Sequence, residues 1–190
     1  MIKKLKDVLF ILILGSVCTG LLLGVKSYTY PVIARHEERT LKATILDAAG
    51  VAYTSDTLKE DFKKNIRIRS ENGFVYYLTP DNFYVFEFEG RGLWGLIKGV
   101  VTLNKDLETI ESIKIISQEE TPGLGGRIEE EGFLAQFKKK KVSPMLELVL
   151  RRKATKINEI DAISGASISS RALIDTINES VEDFRKKAGK

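Results

Sequence analysis

The sequence is poor in the residues that build disulfides and Cys/His metal sites. It contains one cysteine and one histidine among 190 residues. One cysteine cannot form a disulfide within the chain, and the two residues together cannot supply a Cys/His metal cluster. We therefore assign no metal site, and any redox chemistry would need an organic cofactor or metals on a partner protein. His36 stands among charged neighbours and is predicted to be a solvated surface residue, so no catalytic residue is assigned either.

The chain also lacks a strong excess of one charge. Its formal net charge is +4, and its basic residues are scattered rather than arranged in a stripe. This pattern argues against a nucleic-acid partner. Charged residues make up 29% and hydrophobic residues 43%, as in ordinary globular proteins, and the length fits one compact domain with a short extra segment.

A long uncharged run lies near the N-terminus. Residues 8–25 contain no charged side chain and are mostly leucine, isoleucine and valine. As a helix this run would be about 27 Å long, which is enough to cross a bilayer with help from its flanks. We therefore predict a transmembrane helix at residues 8–25.

The residues around this run predict its orientation in the membrane and whether it is cleaved. Three lysines precede it, which predicts a cytoplasmic N-terminus at residues 1–7. The alternative is a signal peptide that is removed. No small-residue cleavage site follows Val25, so we favour an uncleaved anchor. Residues 26–190 are then expected on the extracytoplasmic side.

Hydrophobic spacing divides the rest of the chain into helices and short strands. Pro31 is predicted to begin a helix that ends near Ala49, and a second helix is predicted at 57–65. From residue 66 onward, short runs rich in aromatic and β-branched residues alternate with turn signals, which is typical of strands. The predicted strands are 66–69, 74–78, 83–88, 98–103, 109–117 and 144–151, and a short amphipathic helix is predicted at 130–138.

A long C-terminal helix completes the predicted fold. It should run from Ser167 to about Lys186, because its apolar residues recur every three or four positions. These residues are Leu173, Ile177, Val181 and Phe184. We expect an α+β fold, in which one N-terminal transmembrane helix carries a domain with a mostly antiparallel sheet flanked by helices.

The stretch just before this helix has the composition of a phosphate site. Residues 161–170 read Asp-Ala-Ile-Ser-Gly-Ala-Ser-Ile-Ser-Ser. Gly165 and Ala166 carry little side chain, so a bulky group can approach the backbone. The free N–H groups of a first helical turn attract an anion, and serine hydroxyls lie beside them. The alternative is that one serine caps the helix and nothing binds.

Two loops are rich in glycine. Residues 90–95 read Gly-Arg-Gly-Leu-Trp-Gly, and this density lets the backbone pass close to a flat ring or a neighbouring strand. Residues 119–126 read Glu-Glu-Thr-Pro-Gly-Leu-Gly-Gly, a turned loop that offers backbone N–H groups, a hydroxyl and a carboxylate. An ordinary turn is the alternative for this second loop.

These three stretches resemble, in the same order, the motifs of one known family. Asp-x-x-Ser-Gly-Ala-Ser resembles the flavinylation motif of the FMN-binding subunits of Rnf- and Nqr-type ion-translocating oxidoreductase complexes. Glu-Thr-Pro-Gly-Leu-Gly is a hallmark of the same family, and Gly-x-Gly-Leu-Trp is similar to its Nqr branch. With the anchor in front, the resemblance covers nearly the whole chain.

The resemblance implies a covalently bound cofactor. In the family, the phosphate of FMN is esterified to the last hydroxyl of the motif, which is commonly a threonine. Ser167 holds that position here, and serine has the same nucleophilic oxygen. The resemblance makes 26–190 an FMN-binding domain and implies these cofactor-binding residues: Leu93, Trp94, Glu120, Thr121, Gly123, Leu124, Ser164, Gly165, Ala166 and Ser167.

The resemblance also implies a function and partners. The chain would be an electron-transfer subunit of an Rnf-type complex, which links ferredoxin and NAD to ion movement, with no independent catalytic activity. Its partners would be the neighbouring membrane subunits, a flavin transferase and the lipid bilayer, in the inner (cytoplasmic) membrane with the domain on the periplasmic side. The small size favours Rnf, whereas the Gly-Leu-Trp stretch favours the Nqr-type NADH:quinone oxidoreductase. Two competing hypotheses are a stand-alone membrane-anchored flavin reductase and an anchored scaffold without flavin.

Overall fold

The N-terminal helix is longer than the sequence predicts. The structure, a computed structural model, describes residues 2–188. Helix α1 runs without interruption through Ile2–Ala48 and contains Pro31. The prediction that a separate helix begins at Pro31 is therefore wrong. A proline removes one backbone donor, and at this exposed position water can reach the carbonyl that loses its partner, so the helix continues on both sides.

The chain divides into two compact units, and the boundary falls after Thr40. In the first unit, the side chains from Lys6 to Ser27 are exposed. The segment Lys6–Ala48 includes a stretch that is long and apolar enough to cross a membrane. The side chains of Lys3 and Lys4, on which the predicted orientation rests, lie outside what the structure describes.

The second unit is built on a five-stranded antiparallel sheet. The strands pair in sequence order, each with the next, so the sheet is a simple meander. They are β1 (Arg67–Glu71), β2 (Phe74–Leu78), β3 (Tyr84–Arg91), β4 (Leu96–Leu103) and β5 (Ile110–Gln118). This confirms the predicted α+β class and places the five predicted strands within a few residues of the observed ones.

Helices cover both faces of this sheet. Helix α2 (Leu58–Asn65) and the end of α1 cover one face through Leu46, Phe62 and Val85. Helix α4 (Ser167–Lys187) covers the other, where Phe184 stacks on Phe86 with ring centroids 4.7 Å apart. The observed helix agrees with the predicted one, and its apolar face is buried as the spacing predicts. The sheet therefore provides the fixed platform on which the N-terminus of α4 is held.

The segment between β5 and α4 departs most from the predictions. The predicted helix at 130–138 is split into α3 (Glu131–Leu134) and a 3-10 turn, Ala135–Phe137, and another 3-10 turn, Gly125–Glu129, precedes them. The predicted strand at 144–151 shortens to β6 (Glu147–Val149), which pairs in parallel with β7 (Glu159–Asp161).

Helix α4 accounts for the late start of β6. Asn178 accepts a hydrogen bond from the backbone N–H of Leu146 at 2.8 Å and donates one to its carbonyl at 3.1 Å. Both backbone groups of Leu146 are therefore occupied by a helix side chain, and a sheet partner cannot use them.

Candidate functional site

Three chain segments meet around one cleft of about 510 Å³. They are the turn between β3 and β4, the loop that follows β5, and the first turn of α4. The volume lies within the range of small-molecule sites, about 300–1,000 Å³. The lining residues are Leu93, Trp94, Glu120, Thr121, Leu124, Gly125, Gly165, Ala166, Ser167, Ile168 and Ser169.

Large apolar side chains line this cleft but remain exposed. Trp94 is 72% exposed, Ile168 60%, and Leu93 and Leu124 are each 50% exposed. An isolated exposed apolar residue is ordinary, but four around one cleft, contributed by all three segments, indicate a surface that something apolar covers. A flat aromatic ligand fits such walls.

A buried carboxyl group joins the three walls. Glu120 is 5% exposed and lies in the loop after β5. Its Oε1 accepts a hydrogen bond from the backbone N–H of Trp94 at 3.0 Å, and its Oε2 accepts one from Ser169 Oγ at 2.5 Å. The partners are 26 and 49 residues away, so this one side chain fixes the position of the β3–β4 turn and of α4. We therefore assign Glu120 a positioning role in the cleft wall.

The glycines around the cleft make room for protein atoms. A Cβ at Gly92 would lie 2.3 Å from Glu120 Oε1, and a Cβ at Gly125 would lie 2.7 Å from Glu120 Oε2. A Cβ at Gly90 would lie 1.9 Å from Oγ1 of Thr176, so α4 packs directly on the end of β3. These three glycines therefore make room for α4 and for the side chain of Glu120.

The motif ahead of α4 is held in place by its last two serines. Ser170 Oγ accepts a hydrogen bond from the N–H of Ile163 at 3.2 Å and donates one to the carbonyl of Ala166 at 2.9 Å. Ser169 donates to Glu120, as described above, and both serines are buried. Gly165 has φ +82°, a backbone conformation that side chains disfavour, and this turn leads the chain into the helix. Two of the four serines therefore have structural roles.

Ser167 differs from them. It is exposed, it lines the cleft, and its hydroxyl has no hydrogen-bond partner among residues 2–188. No side chain caps the N-terminus of α4, and its first turn contains no acidic residue. The first backbone N–H groups of a helix have no acceptor within it. An accessible hydroxyl therefore lies beside donors that favour an anion.

Asp161, the first residue of the motif, does not line the cleft. Its Oδ1 accepts a hydrogen bond from the N–H of Ala154 at 2.6 Å, and its own N–H donates to Gln136 at 2.9 Å. Two residues earlier, Glu159 is completely buried in the same strand. Hydrogen bonds from Arg152 hold the pKa of Glu159 well below its ordinary value. The hydrogen bonds of Glu159 and Asp161 hold the strand that precedes the motif in place, and neither residue lines the cleft.

Most of the residues expected from sequence meet in the cleft. The two that do not line it are Ser164, which is exposed, and Gly123, which turns the loop with φ +74°. Sequence reasoning missed Gly125, Ile168 and Ser169. Ile168 could have been noticed, because it lies next to Ser167 and outside the apolar face of α4. Nothing in the sequence links Ser169 to Glu120.

Comparison with known proteins finds a domain match that spans this cleft. Residues 92–182, which contain all three cleft segments, match the model of the FMN-binding domain family. A subunit of the Na(+)-translocating NADH-quinone reductase from Pasteurella multocida is 35% identical over 123 residues, which cover 60% of this chain and 47% of that protein. A subunit of the proton-translocating ferredoxin:NAD(+) oxidoreductase complex from Clostridium ljungdahlii is 36% identical over 106 residues, with 56% and 55% covered. Residues 92–182 therefore match an FMN-binding domain, and the chain is similar to both an Nqr and an Rnf subunit.

The fold of this chain has a solved counterpart. The corresponding subunit of the Na(+)-translocating NADH-quinone reductase from Parabacteroides distasonis superposes with a TM-score of 0.67 at 24% identity, covering 81% of this chain and 94% of that one. The chain spans about half the length of the curated relatives that it matches. The predicted fold is confirmed, and these similarities agree with the predicted family.

The residues of the cleft fit FMN. Its apolar walls suit the flat ring system, and the first turn of α4 with Ser167 suits the phosphate. Leu93, Trp94 and Leu124 would hold the ring, while Ser167 with the backbone of Gly165 and Ala166 would hold the phosphate end. No charged group other than Glu120 lines the cleft among the described residues, so the ring would meet an apolar surface.

Proposed function

We propose that this chain is an electron-transfer subunit that carries FMN attached covalently through its phosphate to Ser167. One observation carries the proposal. The cleft places the accessible, unpartnered hydroxyl of Ser167 beside an uncapped helix N-terminus and opposite exposed apolar side chains. Ser169 and Ser170 are buried and hydrogen-bonded. Ser167 and Thr121 are the two hydroxyl residues of the cleft without a side-chain partner among the described residues, and of these Ser167 lies in the first turn of α4.

The protein needs only to hold and position the cofactor. When bound, FMN supplies the ability to accept and donate electrons. Leu93, Trp94 and Leu124 provide apolar contact and exclude water, while Glu120 fixes the geometry of the walls. Among the described residues that line the cleft, Glu120 is the one titratable side chain, and both of its oxygens accept hydrogen bonds from the protein. This argues against a stand-alone reductase, which would need groups that move protons to its own substrate.

The attachment requires a second protein. Ser167 Oγ would attack the phosphorus on the riboflavin side of the FAD pyrophosphate and form a phosphoester bond. The bond between that phosphorus and the bridging oxygen breaks, AMP leaves with the electron pair, and the hydroxyl proton passes to a base. The cleft offers no free base among its described residues, so a flavin transferase must supply one.

The hydroxyl can be tested directly. Co-expression with a flavin transferase should give a yellow protein with one FMN on the peptide that contains Ser167. Ser167→Ala should fold, insert and remain colourless, whereas Ser167→Thr should stay yellow. Ser164→Ala is the matched control, because Ser164 is exposed in the same motif but does not line the cleft. Flavin on Ser169 or Ser170, or a covalent flavin in Ser167→Ala, would show that another hydroxyl is used.

We further propose that the chain is a single-pass protein of the inner membrane with its FMN domain on the periplasmic side. The apolar helix α1 and the membrane complexes of its relatives support the anchor. Protease added after permeabilisation of the outer layer should digest the domain, and complete protection would reject this topology. N-terminal sequencing should find the chain uncleaved, whereas a start at Ser27 or later would reveal a signal peptide.

The partners would be the neighbouring membrane subunits of an Rnf-type complex, with the homologous Nqr position as the second candidate. Similar identities to an Nqr subunit and to an Rnf subunit, 35% and 36%, support both. Affinity purification from membranes of the native host should recover the remaining subunits. Reduction of the bound flavin by ferredoxin would support the Rnf assignment, and reduction by NADH with quinone as acceptor would support the Nqr assignment.

A further inference from the structure

Helix α4 carries a cation one turn beyond the reactive serine. We propose that Arg171 is the counter-ion of the phosphate that Ser167 would carry, an inference that rests on the proposed function. It assigns a second side chain to the phosphate end of the site, outside the motif that the family resemblance identifies.

The spacing of the two residues places them side by side. Ser167 and Arg171 are four residues apart in α4 and therefore lie on the same face, one turn apart. Long side chains on a helix lean towards its N-terminus. Arg171 would therefore extend towards Ser167, and its planar guanidinium group can donate two parallel hydrogen bonds to phosphate oxygens.

The guanidinium group of Arg171 is available for this role. It is exposed, and it makes no ion pair or hydrogen bond with any of residues 2–188. Asp175 lies one turn further along the helix, but its carboxylate oxygens are more than 4.0 Å from the guanidinium nitrogens of Arg171, so the two form no salt bridge. By contrast, Arg152 binds Glu159 and Arg185 binds the carbonyl of Leu107.

Arg171 lies just beyond the first turn of α4, and the carboxylates of Asp175 and Glu179 line the groove beside it. The N-terminus of a helix carries a partial positive charge, so a cation near it is destabilising and an anion is stabilising. The first turn of α4 has no acidic residue and no side-chain cap. A phosphodiester on Ser167 would place one negative charge beside both the helix terminus and Arg171.

Arg171 approaches the site from outside the apolar cleft. It lines a neighbouring groove of about 420 Å³, and Ile168 lines both the groove and the cleft. The groove also contains Arg91, at the end of β3, and the carboxylates of Asp175 and Glu179. Arg171 lines a second groove beside β6 as well, together with Glu147. Arg171 can therefore meet a phosphate at the edge of the cleft while the apolar walls remain free for the ring. Arg91 provides a matched control, since it lines the same groove but does not share a helix face with Ser167.

The test compares each variant with and without the cofactor. The full chain is purified in detergent in two forms, made alone or together with a flavin transferase, and thermal unfolding is followed by circular dichroism. Without flavin, Arg171→Gln should unfold at the wild-type temperature or slightly above it. With flavin attached, Arg171→Gln should unfold about 2–4 °C below the loaded wild type. Arg171→Lys should recover part of this loss, Arg91→Gln should show none, and about 0.5 M NaCl should reduce the difference.

The outcomes separate the two proposals. An equal loss in the loaded and unloaded forms, or no loss in either, would overturn the role of Arg171. An equal, flavin-dependent loss in Arg91→Gln would overturn the assignment to Arg171 in favour of the groove as a whole. If the wild-type chain itself takes up no flavin beside an active transferase, the proposed function fails, and the inference fails with it.

Discussion

Two buried carboxyl groups show how differently two parts of this domain are held together. Glu120 lies in the cleft wall and Glu159 lies in β7, with exposed fractions of 5% and 0%. Glu120 accepts its hydrogen bonds from neutral donors 26 and 49 residues away in the chain. Glu159 is bound by the guanidinium group of Arg152 and by the backbone N–H groups of Thr155 and Lys156, all within seven residues.

The surroundings of Glu159 form from residues close together in the chain, whereas those of Glu120 form from segments far apart in the chain. The loop that surrounds Glu159 closes on itself, and a cation compensates the buried charge. In the cleft, Glu120 makes no ion pair with any described residue, and it is the tertiary fold that brings its two donors within reach. We therefore expect changes at Glu120 to disturb the functional site, and changes at Glu159 to disturb stability while the cleft keeps its shape.

The largest expected effect comes from removal of the cleft carboxyl. Glu120→Ala leaves the N–H of Trp94 and the hydroxyl of Ser169 without their partner, and each unsatisfied buried donor costs about 1–3 kcal/mol. The variant should lose about 3 kcal/mol of the free energy of unfolding and load less flavin. Chemical denaturation and flavin absorbance measure both. Glu119→Ala is the control, because its side chain is exposed; a similar loss there would contradict the special role of Glu120.

The next largest effect is expected at Gly125, which packs against Glu120 and Ser169. In Gly125→Ala, the added methyl group would lie 2.5 Å from Ser169 Oγ and 2.7 Å from Glu120 Oε2. Overpacking of this kind lowers stability by about 1–3 kcal/mol. In Gly132→Ala the added methyl group meets nothing within 4 Å, so stability should stay the same or rise. If denaturation midpoints show both variants to be equal, the contact between Gly125 and Glu120 is not tight.

Glu159 should make the stability of the protein depend on pH. Because its folded pKa is depressed from the ordinary 4.5, Glu159 stabilises the protein above that pH, and this contribution is lost as the pH falls through the folded pKa. Glu159→Gln should unfold at a lower temperature than the wild type between about pH 6 and 8. The difference should shrink below about pH 4.5. A difference that stays constant from about pH 8 to pH 3 would rule out this ionic contribution, and flavin loading should be unaffected throughout.

The smallest effect on stability is expected at the apolar wall. Leu124 is half-exposed, so Leu124→Asp should change the free energy of unfolding by less than about 0.5 kcal/mol. It places a charge against the proposed ring surface, so the flavin should remain attached while electron transfer slows. Leu150→Asp is the matched control, as an exposed leucine that does not line the cleft. Unchanged redox titration and turnover in Leu124→Asp would show that this wall does not touch the ring.

Patterns confined to neighbouring residues predicted much of this molecule. The alternation of β-branched and aromatic residues with turn signals predicted five strands because strand and turn preferences are local. The spacing of Leu173, Ile177 and Val181 predicted α4 and its buried face for the same reason. Local rules failed at Pro31, where one missing hydrogen bond did not end an exposed helix, and at β6, where a distant asparagine occupies the backbone.

The sequence by itself determined the elements and the family motifs, including Ser167 at the start of a helix. Only the tertiary structure decided which serines are available, because Ser169 and Ser170 are engaged by partners that sequence spacing cannot reveal. It also showed that Glu120, an expected flavin contact, links three segments, since its donors come from a turn and a helix far along the chain. Hydrogen bonds and close packing between distant segments form only when the sheet brings those segments together.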